Sequence, residues 1–430
     1  MRPILRDSVV TTAPHPLIPL SLVLAAVLAL LFCGVVNRLA RRRGWLDQPS
    51  PRRIHTVPVP RLGGVGMALA FVPLAWWIGG RTLAPNLVPE LHWGLLGAVL
   101  ITLSQIPDDL FGLPPWQKLL AQVAVAVLAM AAGLRIDFVS TPLNNPFDPN
   151  PLAVPITLPL VLAIPATVIW FVGMINAVNA LDGTDGLAGG VTAIAAGVLA
   201  LHTARYMGQE IGVAYLLGLL GAVCVGFLFW NWPPARLIMG DSGSHFLGFT
   251  LAMLSILGGA RLATAMLVLG IPILDYAYVI YTRIRTGHGA MHYDLGHLQH
   301  RLLSAGLSPA AILGLLYSLT ILAGIAALFL EKTQKLFGVG VLFVLAFGVI
   351  IALPRSIEDR RRSRGSGSPH HARERGEPQQ DAQDDKVDDH RTATVTDEGQ
   401  RNAGQGNHFQ VAGHDDETLQ SEQTGQTERQ

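Results

Sequence analysis

The stretch NAVNALDGTDGLAGG, residues 176–190, interrupts two long apolar runs, and it places Asn176, Asn179, Asp182 and Asp185 three residues apart. Residues three apart advance about 300° around a helix, so Asn176 and Asn179 share one face at the end of the first run. Asp182–Gly183 and Asp185–Gly186 are turn dipeptides, so the helix ends there and the aspartates project from its mouth. A carboxylate in hydrocarbon costs roughly 2.5–3.5 kcal/mol even on an insertion scale. Four acid or amide side chains at this spacing therefore ask for a wet cavity at a membrane surface. A calcium loop needs oxygen ligands two residues apart, a pattern the stretch lacks.

The rest of the chain supplies the membrane. Half of its 430 residues are apolar and the mean hydropathy is +0.40. Eleven apolar runs bounded by Pro, Gly or charge are long enough to be read as spans: 17–37, 63–80, 92–107, 117–133, 155–175, 187–204, 211–230, 244–260, 262–282, 309–330 and 336–353. The expected fold is thus all-α, a polytopic membrane helix bundle over residues 1–354. The first run has no A-x-A-like cleavage site after it and reads as a retained span. Cys33 and Cys224 lie within apolar runs and read as buried, unpaired thiols. Residues 355–430 carry 11 Lys/Arg and 16 Asp/Glu with few apolar residues, and such a segment is expected to be disordered.

Arginines crowd the loops after the first and ninth runs: Arg38, Arg41, Arg42, Arg43, Arg52, Arg53 and Arg61, then Arg283, Arg285 and Arg301. The positive-inside rule puts those loops and the C-terminal tail in the cytoplasm and the N-terminus outside. The same alternation brings segments 108–117, 176–187 and 231–243 to the cytoplasmic face, where seven of the 14 acidic residues before position 355 then lie. Carboxylates from separate spans converging on one face describe a site.

Three further clusters belong to it. IPDDLFGLPPWQKLLAQ (106–122) ends one run with Asp108 and Asp109 and opens the next with Lys118. Adjacent carboxylates repel, so a cation nearby is expected, and a lysine is a point charge suited to phosphate. MGDSGSHFLGF (239–249) sets Asp241 between glycine and serine at a helix start, where backbone N–H groups favour anions. YDLGHLQHRL (293–302) supplies Asp294, His297, His300 and Arg301. Zinc would need further Cys or His ligands nearby, whereas Arg301 suits bidentate binding of a phosphate or a sugar-linked oxygen.

These residues together resemble the polyprenyl-phosphate N-acetylhexosamine-1-phosphate transferases, in particular the UDP-GlcNAc:undecaprenyl-phosphate branch. The resemblance runs in motifs from about Trp45 to Arg301 and in topology to about Leu353. It rests on RRIHTVPVPRLGG (52–64), on Asp108, Asp109, Lys118 and Gln122, and on an ungapped match from Asn176 to Leu187. Residues 240–249 and the I-P-I-x-D segment ending at Asp275 complete it. Two positions depart from the family pattern: Gln299 stands where a histidine is usual, and Leu295 where a cation is usual.

The resemblance implies transfer of a sugar-1-phosphate, with N-acetylglucosamine the expected sugar, from a UDP-sugar to a polyprenyl phosphate lipid, releasing UMP. It implies Mg²⁺, or Mn²⁺ in its place, held by Asp241 with Asn179 and Asp182. Asp108, Asp109, Asp182 and Asp185 take the catalytic roles, Asp108 or Asp109 as base toward the lipid phosphate. Lys118, Asn176, Asn179, Asp185, His297, His300 and Arg301 bind substrate. A phosphate monoester has a second pKa of about 6, so proton transfer contributes less than positioning and charge neutralisation. A two-step route through an aspartyl phosphate stays open. So do another UDP-N-acetylhexosamine, a UDP-MurNAc-pentapeptide donor, and a homodimeric assembly. Nucleic acid is not an expected partner. A transporter would carry polar residues near the midplane and repeated halves; here the clusters sit at span ends and no repeat is visible.

Overall fold

Apolar runs interrupted by short polar links can satisfy their backbone inside a bilayer only as helices, and helices are what they form. The computed structural model describes residues 17–47, 58–140, 155–206, 211–258, 262–285, 297–330, 334–335, 337–341, 344 and 348. In chain order these make α1 (Leu17–Arg43), β1 (Leu46–Asp47), β2 (Val59–Pro60), α2 (Gly63–Thr82), α3 (Val88–Phe111) and α4 (Pro115–Ala131). Then follow β3 (Phe138–Ser140), β4 (Pro155–Thr157), α5 (Leu160–Leu181), α6 (Leu187–Tyr206), α7 (Ile211–Asn231), α8 (Gly240–Leu257), α9 (Leu262–Val268), α10 (Gly270–Arg285), α11 (Leu298–Ser304) and α12 (Pro309–Phe329). The strands form two antiparallel pairs in the links, β1 with β2 and β3 with β4.

Seven of the described helices are long and apolar enough to cross a membrane, and eight if the α9–α10 pair, bent by 78°, counts as one span. The count differs from the eleven apolar runs for physical reasons. Helix α4 is apolar but only 17 residues long. Helix α8 opens with the polar sequence GDSGSH and is buried along its whole length, so its composition answers to protein neighbours and not to lipid. Most of the run 336–353 and all of the tail 355–430 lie outside the described residues.

Helix α8 is the axis, packed by α2, α3 and α5. Close approach there depends on missing side chains: a Cβ on Gly64 would stand 2.1 Å from the Gly243 nitrogen, and one on Gly248 would stand 2.5 Å from the Ile175 Cα. Small residues of this kind are how helices pack tightly when lipid offers no hydrophobic drive between them. The outer surface carries exposed Leu20, Leu31, Leu103, Leu120, Val161, Ile169 and Phe229, as a lipid-facing surface requires. Cys33 and Cys224 are buried and unpaired.

Candidate active site

Three local devices build the site. The first is the start of α8. Residues 60–64 pair through their backbone with 238–239: Ile238 N donates to the Pro60 carbonyl at 2.8 Å, and Gly63 N and Gly64 N donate to Ile238 and Met239 at 3.0 Å. Gly240 then takes φ +75°, and a Cβ there would lie 2.6 Å from the Arg61 carbonyl and from both Asp109 oxygens. Only glycine fits, and the result sets Arg61 beside Asp241.

The second is the turn between α3 and α4. Gly112 at φ +77° reverses the chain, and Leu113 N donates to Asp108 Oδ1 at 2.7 Å. The first turn of α4 therefore faces the last turn of α3. Lys118 Nζ bridges Asp108 Oδ2 and Asp241 Oδ2, 2.7 Å from each, while Arg61 Nη2 reaches Asp241 Oδ1 at 3.0 Å. Asp109 lies beside them, its Oδ1 3.5 Å from Arg61 Nε. Its Oδ1 and Oδ2 accept from Asp241 N at 2.7 Å and Ser242 N at 3.1 Å, so it caps α8 from a neighbouring helix.

The third is the end of α5. Asn179 Nδ2 donates to Ser244 Oγ at 2.9 Å, and Asp182 forms the C-cap. Burial pushes the Asp182 carboxyl well above the usual carboxylate range, with Asp241, Asp109 and Asp185 pushing the same way against Arg61. Asp185 is used structurally: its Oδ2 accepts from Ala235 N at 2.9 Å, and Gly186 N donates to Asn231 Oδ1 at 2.8 Å. That turn ties the α5–α6 link to the α7–α8 link.

A cavity of about 400 Å³ opens over these elements. Of the residues singled out in the sequence, Lys118, Asn176, Asn179, Asp182, Asp241, His297 and His300 line it; Asp108, Asp109, Asp185 and Arg301 do not. Arg301 lies over the Tyr278 ring, 5.2 Å from its centroid. The wall is α11. Asp275 accepts from Leu298 N at 2.7 Å and holds His297 Nδ1 at 2.9 Å, while Gln299 Nε2 donates to the Ala180 carbonyl at 2.6 Å. Burial lowers the pKa of His300, His297 lowers it further and Asp275 opposes them.

Arg61, Gln122, His245, Tyr276 and Arg283 line the cavity as well. Sequence reasoning did not place them there. Arg283 was visible only as positive-inside charge, Arg61 as that and as part of the 52–64 motif, and Gln122 and His245 only within their motifs.

The donor set fits a hard divalent cation. One oxygen each from Asp108, Asp109 and Asp241 lies within 4.8 Å of the others, a trio that does not include Asp182. The carboxyl groups of Asp108, Asp109, Asp182 and Asp241 crowd against the two cations Arg61 and Lys118. All-oxygen ligation of this kind suits Mg²⁺.

Comparison with known proteins gives the chain a family. A model of the family described as Glycosyl transferase family 4 matches residues 92–259, from α3 through α8. A protein of Bacillus subtilis (strain 168), "Probable undecaprenyl-phosphate N-acetylglucosaminyl 1-phosphate transferase", is 32% identical over 340 residues, covering 76% of this chain and 89% of its own. The chain belongs to glycosyl transferase family 4. A second relative in that family, the "Decaprenyl-phosphate N-acetylglucosaminephosphotransferase" of Mycobacterium tuberculosis (strain ATCC 25618 / H37Rv), is 30% identical over 327 residues, 68% of this chain and 77% of its own. A third, the "Phospho-N-acetylmuramoyl-pentapeptide-transferase" of Synechococcus sp. (strain JA-2-3B'a(2-13)), is 36% identical over a shorter 286 residues. The family 4 match spans the helices that carry Asp108, Lys118, Asn179, Asp182 and Asp241.

Proposed function

We propose that this family 4 enzyme transfers N-acetylglucosamine 1-phosphate from UDP-N-acetylglucosamine to a polyprenyl phosphate in the membrane, releasing UMP. One observation carries the reading: Arg61, Lys118 and Asp241 converge at the floor of a polar cavity that opens where the spans end. The names of the two N-acetylglucosamine-type relatives supply the sugar and the lipid class.

The chemistry follows from the residues. An oxygen of the lipid phosphate attacks the phosphorus that bears the sugar, and the bond from that phosphorus to the UMP oxygen breaks. Lys118 and Arg61 hold the phosphates and offset the charge that builds on the leaving UMP. Asp108 orients Lys118 toward the acceptor. Because its oxygens are already held by Lys118 and Leu113 N, we favour direct transfer over an aspartyl-phosphate intermediate. Asp241 and Asp108, with Asn179 and Asp182 nearby, would hold Mg²⁺ or Mn²⁺, which would supply Lewis-acid neutralisation of the pyrophosphate. Asp109 and Asp185 act by holding α8 and the 231–238 link in place. His297 and His300 on α11 face the donor sugar.

The proposal includes eleven spans and a cytoplasmic site, supported by the arginines at the end of α1, where Arg41 donates to the Arg236 carbonyl at 3.2 Å beside the link to α8. The deciding experiment incubates purified protein with polyprenyl phosphate and a panel of UDP-sugars, scoring UMP. Release with UDP-N-acetylglucosamine is expected. Release only with another UDP-N-acetylhexosamine or with UDP-MurNAc-pentapeptide would reassign the donor, and no release with any would overturn the reading.

A further inference from the structure

One helical turn from the first contacts, α4, α5 and α8 are joined by a second layer of polar contacts along the cavity. Lys118 and Gln122 are four apart on α4, as Asp241 and His245 are on α8, so the two pairs form parallel rungs. The upper rung is Lys118 to Asp241 at 2.7 Å, and the lower is Gln122 Nε2 to His245 Nε2 at 2.9 Å. The lower rung continues into α5, where Asn176 Nδ2 donates to Gln122 Oε1 at 2.7 Å and to the Val172 carbonyl at 2.8 Å.

The direction of this chain is fixed from one end. The Val172 carbonyl can only accept, so the Asn176 atom beside it must be the NH₂ group. That same NH₂ reaches Gln122, whose facing atom must then be its oxygen. Gln122 is left with its own NH₂ toward His245, and His245 Nε2 must be a bare acceptor, with the ring proton on Nδ1. Reversing any member would press two acceptors together at 2.8 Å or two donors at 2.9 Å. His245 is 1% exposed and Gln122 is 2% exposed, so neither has bulk water as a substitute partner.

We infer that His245 is a positioning residue: its unprotonated Nε2 closes the chain Val172–Asn176–Gln122–His245 and so locks α4 and α5 in register against α8. In that register Lys118 meets Asp241 and Asn179 meets Ser244. The role assigns Asn176 to the same device, since its NH₂ is consumed by Val172 and Gln122 rather than offered to a ligand. The activity readout below rests on the transfer reaction proposed above; the stability readout does not.

Four variants test it: His245→Leu, His245→Gln, Gln122→Leu and the double leucine variant. Each is compared with the parent for steady-state UMP release and for thermal midpoint in detergent. His245→Leu strands a buried donor on Gln122 and frees the register, so kcat is expected to fall about tenfold, with KM for the UDP-sugar within about twofold. Glutamine at 245 can present Oε1 where Nε2 stood, and it should restore kcat to within about threefold of the parent. The double leucine variant removes both polar ends, so its thermal midpoint should be no lower than that of the worse single variant. Equal kcat in parent and His245→Leu, a glutamine variant as impaired as leucine, or additive midpoint losses would each overturn the role. If the parent releases no UMP, the transfer reading falls while the midpoint cycle still decides the register lock. If His245→Leu does not fold, the contrast between His245→Gln and Gln122→Leu decides it by the same criteria.

Discussion

The floor and the wall of the cavity are both polar, but they are held in opposite ways. In the floor, each carboxylate is gripped by something rigid: Asp108 by Lys118 and Leu113 N, Asp109 by two α8 amides, Asp241 by Arg61 and Lys118. In the wall, a seven-residue helix takes its polar ties from one carboxylate and one amide, Asp275 and Gln299, with Arg301 over Tyr278 and Leu302 packed in the core. A charge-dense, cross-braced floor suits phosphoryl chemistry, where the transition state needs preorganised charge. A lightly tethered wall suits selection of a sugar. The comparison therefore predicts that floor substitutions lower kcat and wall substitutions raise the donor KM.

The largest effect should come from Asp241→Asn. It keeps the shape, removes a charge shared by Arg61 and Lys118, and leaves those cations repelling across a neutral amide. A kcat loss on the order of 100-fold or more is expected, together with weakened Mn²⁺ binding read by electron paramagnetic resonance on the substrate-free protein. Chelation of divalent cations should abolish UMP release from the parent, and added Mg²⁺ should restore it. Near-parental turnover and Mn²⁺ affinity in Asp241→Asn would reduce Asp241 to a helix-start residue.

Asp275→Asn probes the wall. Asparagine can still accept from Leu298 N but presents an NH₂ to His297 Nδ1 if its other end keeps that bond, so the imidazole must change tautomer or turn. The donor KM should rise about tenfold, near 1.4 kcal/mol, with kcat changing less. A fall in kcat with constant KM would show that the wall takes part in the chemistry and would erase the distinction.

How far the sequence could lead differs between the two regions for reasons of geometry. Lys118, Asn179, Asp182 and Asp241 were legible because their residue types and their places at run ends restrict them to a polar surface. Asp108 and Asp109 were not separable, since neighbours on a helix point about 100° apart. Only the packing of α3 on α8 decides that Asp108 meets Lys118 while Asp109 caps α8. Asp185 resembled Asp182 in spacing, but Gly186, at φ +78°, turns the chain directly after it and the 231–238 link takes its carboxylate. Helix α8 could be read from its hydropathy as a span but not as the buried axis of the bundle, because hydropathy does not distinguish burial in protein from burial in lipid.

Arg301→Ala should have a smaller effect than the motif suggests. The guanidinium lies over Tyr278 and outside the cavity lining, and a cation–π contact contributes about 0.5–2 kcal/mol. The expected result is a rise of a few fold in donor KM through a looser α11, with Arg301→Lys intermediate. A loss of kcat as deep as that of Asp241→Asn would move Arg301 from the wall to the reacting groups.

Gln299→His should change least. The position is 2% exposed, and its side chain has one visible task, donating from Nε2 to the Ala180 carbonyl at 2.6 Å, which docks α11 on the end of α5. A neutral imidazole also carries one N–H donor, so the tether can be kept. It is bulkier near the backbone, and Gly183 lies close: a Cβ there would stand 2.6 Å from Gln299 Nε2 and 3.2 Å from His300 Nε2. The swap thus exchanges one donor for another inside a tight joint formed around a glycine. Both kcat and donor KM should stay within about threefold of the parent, since a retained hydrogen bond forfeits less than the roughly 1 kcal/mol of a lost one. Gln299→Leu, which deletes the donor at similar size, should raise KM more than histidine does. If histidine and leucine are equally harmful, shape at the α5–α11 joint governs the wall. If histidine instead raises kcat well above the parent, position 299 acts on the reacting phosphates, and floor and wall form one catalytic surface.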